Sequence, residues 1–181
     1  MREPAGAGPL GGPNTVLEVD ETFIGGKAKN RADGKVPPKE AAMALVERDG
    51  RVRSFHVASV NAKTLRRILT SQLGRKSYMM TDEAPYYTAT GREFGGHGTV
   101  NHSIEEYVRG GFWHTNTVES YFAILKRGIF GVYHHVSPKH LKRYVGESDF
   151  RYNARAISDA ARANAALRGI EGKRLTYRRT G

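Results

Sequence analysis

Three short apolar runs fall within the first 57 residues, and the way two of them are joined restricts the fold more than any other feature. Thr15 to Ile24 reads as a strand that ends at Gly25-Gly26. Ala41 to Glu47 and Arg51 to Val57 follow, separated only by Arg48-Asp49-Gly50. Asp-Gly supplies the backbone geometry of a tight turn, so these two runs are expected to pair as a hairpin.

Helical and strand signals then alternate. Asn61 stands as an N-cap ahead of Leu65, Ile68, Leu69 and Leu73, which keep helical spacing as far as Gly74. Tyr78 to Asp82 reads as a fourth strand, Ala84 to Thr90 as a short helix, and Gly98 to Asn101 as a fifth strand. Beyond Gly110-Gly111, Val118, Tyr121, Phe122 and Leu125 form the apolar stripe of the longest helix, with Gly128 at its C-terminal end. Ser137-Pro138 has the form of a further helix start, and residues 156–168 are Ala-rich and helical. The order β-β-β-α-β-α-β-α-α predicts an α/β fold, a mixed sheet with helices on its faces. Residues 1–14, rich in Gly, Pro and Ala, are expected to be a flexible leader. Residues 15–155 then form one domain, and 156–181 a helical and basic extension.

Charge narrows the partner. Lys and Arg number 29 against 18 Asp and Glu, a formal +11. Such a field favours a polyanion, because each neutralised phosphate releases condensed counterions. There is no cysteine, which excludes disulfides and thiolate zinc sites. No run of about 18 apolar residues is present to span a membrane, and residues 1–14 lack the layout of a signal peptide. A cytoplasmic protein acting on nucleic acid fits these features.

Carboxylates carry the chemistry. Asp20 and Asp82 lie at strand ends, where a sheet holds catalytic groups rigidly while loops expose them. Glu119 falls near the start of the long helix. Three gathered carboxylates would repel one another without a cation, and Mg²⁺ suits hard oxygen donors. Each acid also has an ordinary role open to it, as a turn or cap residue or as a favourable charge at a helix N-terminus. Spacing alone does not separate Asp20 from Glu18, which shares its strand face. Glu119 to Lys126 is a seven-residue step, which returns within about 20° of the same helical face.

These residues resemble a known group. Glu18-Val19-Asp20-Glu21-Thr22-Phe23-Ile24-Gly25-Gly26-Lys27 resembles the first catalytic strand of bacterial insertion-sequence transposases of the DDE type, the ISXO2-like group. Tyr78-Met79-Met80-Thr81-Asp82-Glu83 is similar to their second. His114-Thr115-Asn116-Thr117-Val118-Glu119, continuing to Leu125-Lys126-Arg127-Gly128, is similar to their third element. Asn101-His102-Ser103, Tyr107 to Gly110 and Tyr133 to Leu141 match further stretches, so the likeness runs from about residue 15 to 179.

The resemblance implies an RNase H-like fold with a five-stranded mixed sheet flanked by helices, and Asp20, Asp82 and Glu119 as a metal-binding triad. Its implied cofactor is Mg²⁺, with Mn²⁺ able to substitute and two ions expected. The implied reaction is hydrolysis at transposon ends, then attack of the freed 3′-hydroxyl on target DNA. DNA contacts are implied for Lys126 and Arg127, and with them Asn116, His114, Lys27 and Lys139. The implied assembly is a dimer or larger on DNA, located at the nucleoid. Full-length members carry a cysteine zinc ribbon and a helix-turn-helix region ahead of this domain, whereas here about 14 residues precede the first strand. That makes a truncated or remnant copy, with an intact C-terminal end, one expectation. An inactive DNA-binding module and a nuclease of the same fold are the alternative functions.

Other features have weaker claims. His134, His135 and His140 do not make a zinc site by spacing, since neighbouring residues point to different sides. Phe112-Trp113 is expected in the core, although such a pair could also stack on bases. The basic stretches Lys27 to Lys39 and Lys173 to Arg179 are expected to contact phosphate.

Overall fold

A computed structural model describes residues 8–25, 38–100, 114–134 and 136–171. Five strands form one sheet: β1 (Val16–Ile24), β2 (Glu40–Glu47), β3 (Val52–Val57), β4 (Tyr78–Asp82) and β5 (Gly96–Val100). Five α-helices accompany them: α1 (Ala62–Gln72), α2 (Pro85–Gly91), α3 (Asn116–Arg127), α4 (Leu141–Asn153) and α5 (Asp159–Arg168). The sheet order is β3-β2-β1-β4-β5. β1 runs antiparallel to β2 and parallel to β4, and β5 is parallel to β4. This is the RNase H-like arrangement, and the mixed five-stranded sheet agrees with the sequence reading.

Side-chain alternation explains the layers. On β1, Leu17 and Val19 point to one face and join Leu65, Leu69, Leu73 and Tyr87 from α1 and α2. Ile24, with Ala42, Ala44 and Val46 of β2, points to the other and joins Val118, Tyr121, Phe122 and Leu125 of α3 and Leu141 and Val145 of α4. Period-2 alternation therefore places Glu18 and Asp20 on the α3 side of the sheet. Burial of a Leu-sized side chain is worth about 1.5–3 kcal/mol, so these two apolar layers dominate the stability of the domain.

Asn61 caps α1 as expected, accepting the Thr64 amide at 2.9 Å. The β2–β3 turn forms, but Asp49 takes the left-handed backbone, at φ 59°, in place of Gly50. Gly50 instead lies close to the Glu47 side chain, where an added Cβ would sit 2.6 Å from the Glu47 Cβ.

Four expectations need correction. Leu10, inside the expected leader, is fully buried and hydrogen-bonds Gln72 and Gly74 through its backbone. Asp20, expected at a strand end, is the central residue of β1, and only Asp82 ends its strand. Gly128 caps α3 as expected, at an ordinary helical φ of −61°, and the chain continues through a π-helical turn, Gly128–Val132. Ser137 makes no capping bond, and a 3₁₀ turn, Pro138–His140, leads into α4. β5 begins at Gly96, two residues ahead of the expected start. Three further expectations, for Phe112-Trp113, the basic stretch 27–37 and the tail, lie outside the described residues.

Side chains of α4 finish the β3 edge of the sheet. Asn153 accepts the Val52 amide at 2.7 Å and donates to the Val52 carbonyl at 2.9 Å. Asp149, one helical turn earlier, accepts the Ser54 amide at 2.8 Å. An edge strand with open donors invites pairing with another chain, and here those donors are occupied. None of the residues of α5 is buried. No helix among the described residues is long and apolar enough to cross a membrane.

Candidate active site

The parallel pairing of β1 and β4 sets the site. Val16 faces Tyr78, Leu17 faces Met79 and Glu18 faces Met80. Continuing that register by two residues places Asp20 beside Asp82, both on the sheet face covered by α3. Both are half-buried. Each carboxylate is oriented by a nearby amide, Glu21 N to Asp20 Oδ1 at 2.7 Å and Ala84 N to Asp82 Oδ1 at 3.1 Å.

Glu21 and two tyrosines lie against this pair from the α2 side. Glu21 accepts hydrogen bonds from the Tyr87 and Tyr86 hydroxyls. Burial above all pushes the Glu21 carboxyl up to about 7, opposed by the Tyr87 hydrogen bond and reinforced by the charges of Asp20 and Asp82. Burial likewise pushes Tyr86 up to about 12, with Glu21, Asp82 and Asp20 adding to it in that order. Three acidic groups thus share one neighbourhood, and one of them, Glu21, is held toward its neutral form.

Glu119 comes from the first turn of α3 and is exposed, with its Oε1 accepting from the Thr115 hydroxyl at 2.8 Å. Among the described residues, no three His, Asp or Glu side chains gather closely enough to hold one ion. Asp20 and Asp82 are brought together, and Glu119 stands at the α3 end of the same face.

Glu18 explains how α3 reaches this place. Its carboxylate is fully buried and accepts the Thr117 amide at 2.7 Å, the Val118 amide at 3.0 Å and the Thr117 hydroxyl at 2.9 Å. An anion at a helix N-terminus satisfies orphan amides and meets the positive end of the dipole. Arg48, from the β2–β3 turn, pairs with Glu18 at 3.0 Å and holds the His114 carbonyl at 3.1 Å. His114 Nδ1 lies 3.3 Å from Glu18 and 3.4 Å from Arg48 Nη2, so its tautomer decides which of the two it serves. Sequence reading left Glu18 and Asp20 as equals on one strand face. The structure separates them, since Glu18 accepts the first amides of α3 and Asp20 accepts the amide of Glu21. Arg48 was read only as a turn residue. Its partner lies 30 positions away, and no local signal marks it.

The remaining candidates are spread along α3 and beyond. Asn116 is the first residue of α3 and is exposed. Lys126 and Arg127 lie in its last turn, about 10 Å along the axis from Glu119 at 1.5 Å per residue. Lys139 is exposed on the 3₁₀ turn before α4, and Lys27 lies outside the described residues. His134 is exposed with φ 57°, and His135 lies outside the described residues.

No curated protein matches this chain. Among solved structures, one chain in the cryoEM structure of the simian T-cell lymphotropic virus intasome, in complex with PP2A regulatory subunit B56 gamma, is similar with a TM-score of 0.45 and 18% identity. The likeness covers 91% of this chain and 51% of the other, so this chain spans about half the length of that one. The family model of the ISXO2-like transposase domain matches residues 9–153, and the chain belongs to that family.

Proposed function

We propose that this chain is the catalytic domain of a DNA transposase, cutting transposon ends and joining the freed 3′-hydroxyl to target DNA by phosphoryl transfer. The observation that carries the reading is the Asp20–Asp82 pair, two half-buried carboxylates on parallel strands, one in the middle of β1 and one at the end of β4, set beside each other by the β1–β4 register in a chain of this family. Carboxylates so placed repel each other unless a cation lies between them, and this all-oxygen donor set fits Mg²⁺ or Mn²⁺. Asp20 and Asp82 would hold the metal, with Glu119 as the third donor from α3. When bound, the metal supplies polarisation of phosphate oxygens and activation of water or hydroxyl, with two ions as the working count.

The chain's own residues do the rest. Glu18 holds the start of α3 against the sheet, and Asp20 and Asp82 keep fixed orientations through adjacent amides. Lys126 and Arg127 project from the far end of α3, where they would neutralise phosphates, and Lys139, Asn116 and Lys27 would add to that surface. The formal +11 charge supports DNA as the partner. A dimer or larger assembly on DNA follows from the need to join two ends, and a cytoplasmic, nucleoid-associated location from the substrate.

The test is cutting of supercoiled plasmid and joining of pre-nicked end oligonucleotides in Mn²⁺, with wild type beside Asp82→Asn. Joined products from wild type alone are expected. Cutting without joining would make the chain a nuclease. Equal activity in the two proteins would refute the assignment of Asp82.

A further inference from the structure

The Glu18 cluster does more than close a helix end. Glu18 stands two residues before Asp20 on the same face of β1, about 6.5 Å along the strand. It is a third carboxylate beside the proposed metal seat, and it is fully buried. Burial of an unpaired carboxylate is costly, so its partners decide what it does. Two amides and a hydroxyl from α3, the Arg48 guanidinium and the His114 ring surround it. The bonds to Thr117 and Val118 bracket the position just before Glu119. Any movement of α3 along or away from β1 would therefore break Glu18 bonds and carry Glu119 with it.

We propose that Glu18 is a positioning residue, which sets the approach of Glu119 to the Asp20–Asp82 pair by clamping the first turn of α3 to β1. Arg48 completes the device. Its charge keeps the Glu18 carboxylate committed to the helix end, and its bond to the His114 carbonyl ties down the chain just ahead of α3. The clamp joins three elements distant in sequence, β1, the β2–β3 turn and α3. It also accounts for a buried charge in a strand whose other buried side chains are uncharged. The inference rests on the proposed metal seat and adds to it the residue that places the third donor.

The experiment measures Mn²⁺ binding by electron paramagnetic resonance, with folding followed by circular dichroism, for wild type, Asp82→Asn, Glu119→Gln, Glu18→Gln and the Glu18→Gln/Glu119→Gln double variant. Glu18→Gln keeps the shape and one acceptor but removes the charge. Glu18→Gln is expected to stay folded and to bind Mn²⁺ about tenfold or more weakly, the range typical of losing a group that orients a ligand. The double variant is expected to bind no worse than Glu119→Gln alone, because the two changes remove one shared contribution. A purely structural Glu18 would lower the melting temperature and leave the Mn²⁺ affinity of the folded protein unchanged. That result, or losses that add fully in the double variant, would overturn the inference. If Glu18→Gln does not fold, Thr117→Val takes its place. It removes only the hydroxyl bond and is expected to weaken Mn²⁺ binding less, with the same non-additivity toward Glu119→Gln. Unchanged binding by Asp82→Asn would overturn the metal seat itself, and this inference with it. Loss in Asp82→Asn beside wild-type affinity in Glu18→Gln would overturn this inference alone.

Discussion

The carboxylate of Glu18 accepts the Val118 amide at 3.0 Å across 100 residues of sequence, and with the Thr117 amide beside it fixes where α3 begins against the sheet. Two residues further along β1, Asp20 accepts the amide of Glu21, and Asp82 on β4 accepts that of Ala84.

The proposed cation seat implies that mutual repulsion of Asp20 and Asp82 destabilises the metal-free fold. Asp82→Asn is expected to raise the melting temperature in chelator by about 2–4 °C, the equivalent of roughly 1 kcal/mol for a chain of this size. Addition of Mg²⁺ should raise the melting temperature of wild type and leave the variant nearly unmoved. A variant that melts below wild type in chelator would contradict the repulsion.

A second buried carboxylate, Asp149, serves stability alone. It accepts the Ser54 amide at 2.8 Å, the Ser54 hydroxyl at 2.7 Å and the Tyr121 hydroxyl at 2.6 Å, and so ties α4 to β3 and α3. Hydrogen bonds to a charged group are worth about 1.5–3 kcal/mol each. Tyr121→Phe should therefore cost about 1.5 kcal/mol in urea unfolding, and Asp149→Ala about 3 kcal/mol or more. Equal costs for the two would mean that the Ser54 bonds contribute nothing.

Much of the sheet was legible because its signals are local. Alternation marked the strands, the Asn61 cap marked α1, and the stripe Val118, Tyr121, Phe122 and Leu125 marked the buried face of α3. Asp82 stood out as a strand-end acid for the same reason, whereas Asp20 lies in the middle of β1. Long-range chemistry was not legible. Glu18 and Asp20 look alike in sequence, and only partners 30 to 100 positions away make one a clamp. Asn153 and Asp149 read as ordinary helical polar residues, yet they cover the edge of β3. Gly128 marked the end of α3, although it caps the helix at φ −61° and not in the left-handed region where terminal glycines are common. Leu10 was hidden by the glycines and prolines around it, though its side chain is fully buried.

DNA affinity should show the charges at the end of α3. Lys126→Ala and Arg127→Ala are each expected to weaken binding to any DNA sequence. Each should also reduce the slope of log affinity against log salt by about 1, the signature of one lost phosphate contact. Fluorescence anisotropy across a salt series measures both quantities. An unchanged slope in both variants would remove this end of α3 from the DNA surface.

His97 gives the fold a pH dependence of known sign. It is half-buried, with Nε2 2.9 Å from the Thr81 hydroxyl, and burial lowers its pKa from 6.5. The folded chain then resists a proton that the unfolded chain accepts. His97 therefore costs stability as pH falls through 6.5, levels off below its folded pKa, and contributes no pH dependence above that window. Melting temperatures between pH 7.5 and 5 should fall less steeply for His97→Gln than for wild type. Parallel curves would show that His97 is not responsible.

The central claim is that Asp20 and Asp82 form one cation seat, and the most direct measurement is Mn²⁺ affinity in Asp20→Asn, Asp82→Asn and the variant carrying both. A shared seat predicts a large loss in each single variant and little further loss in the double. Wild-type affinity in either single variant, or losses that simply add, would contradict it.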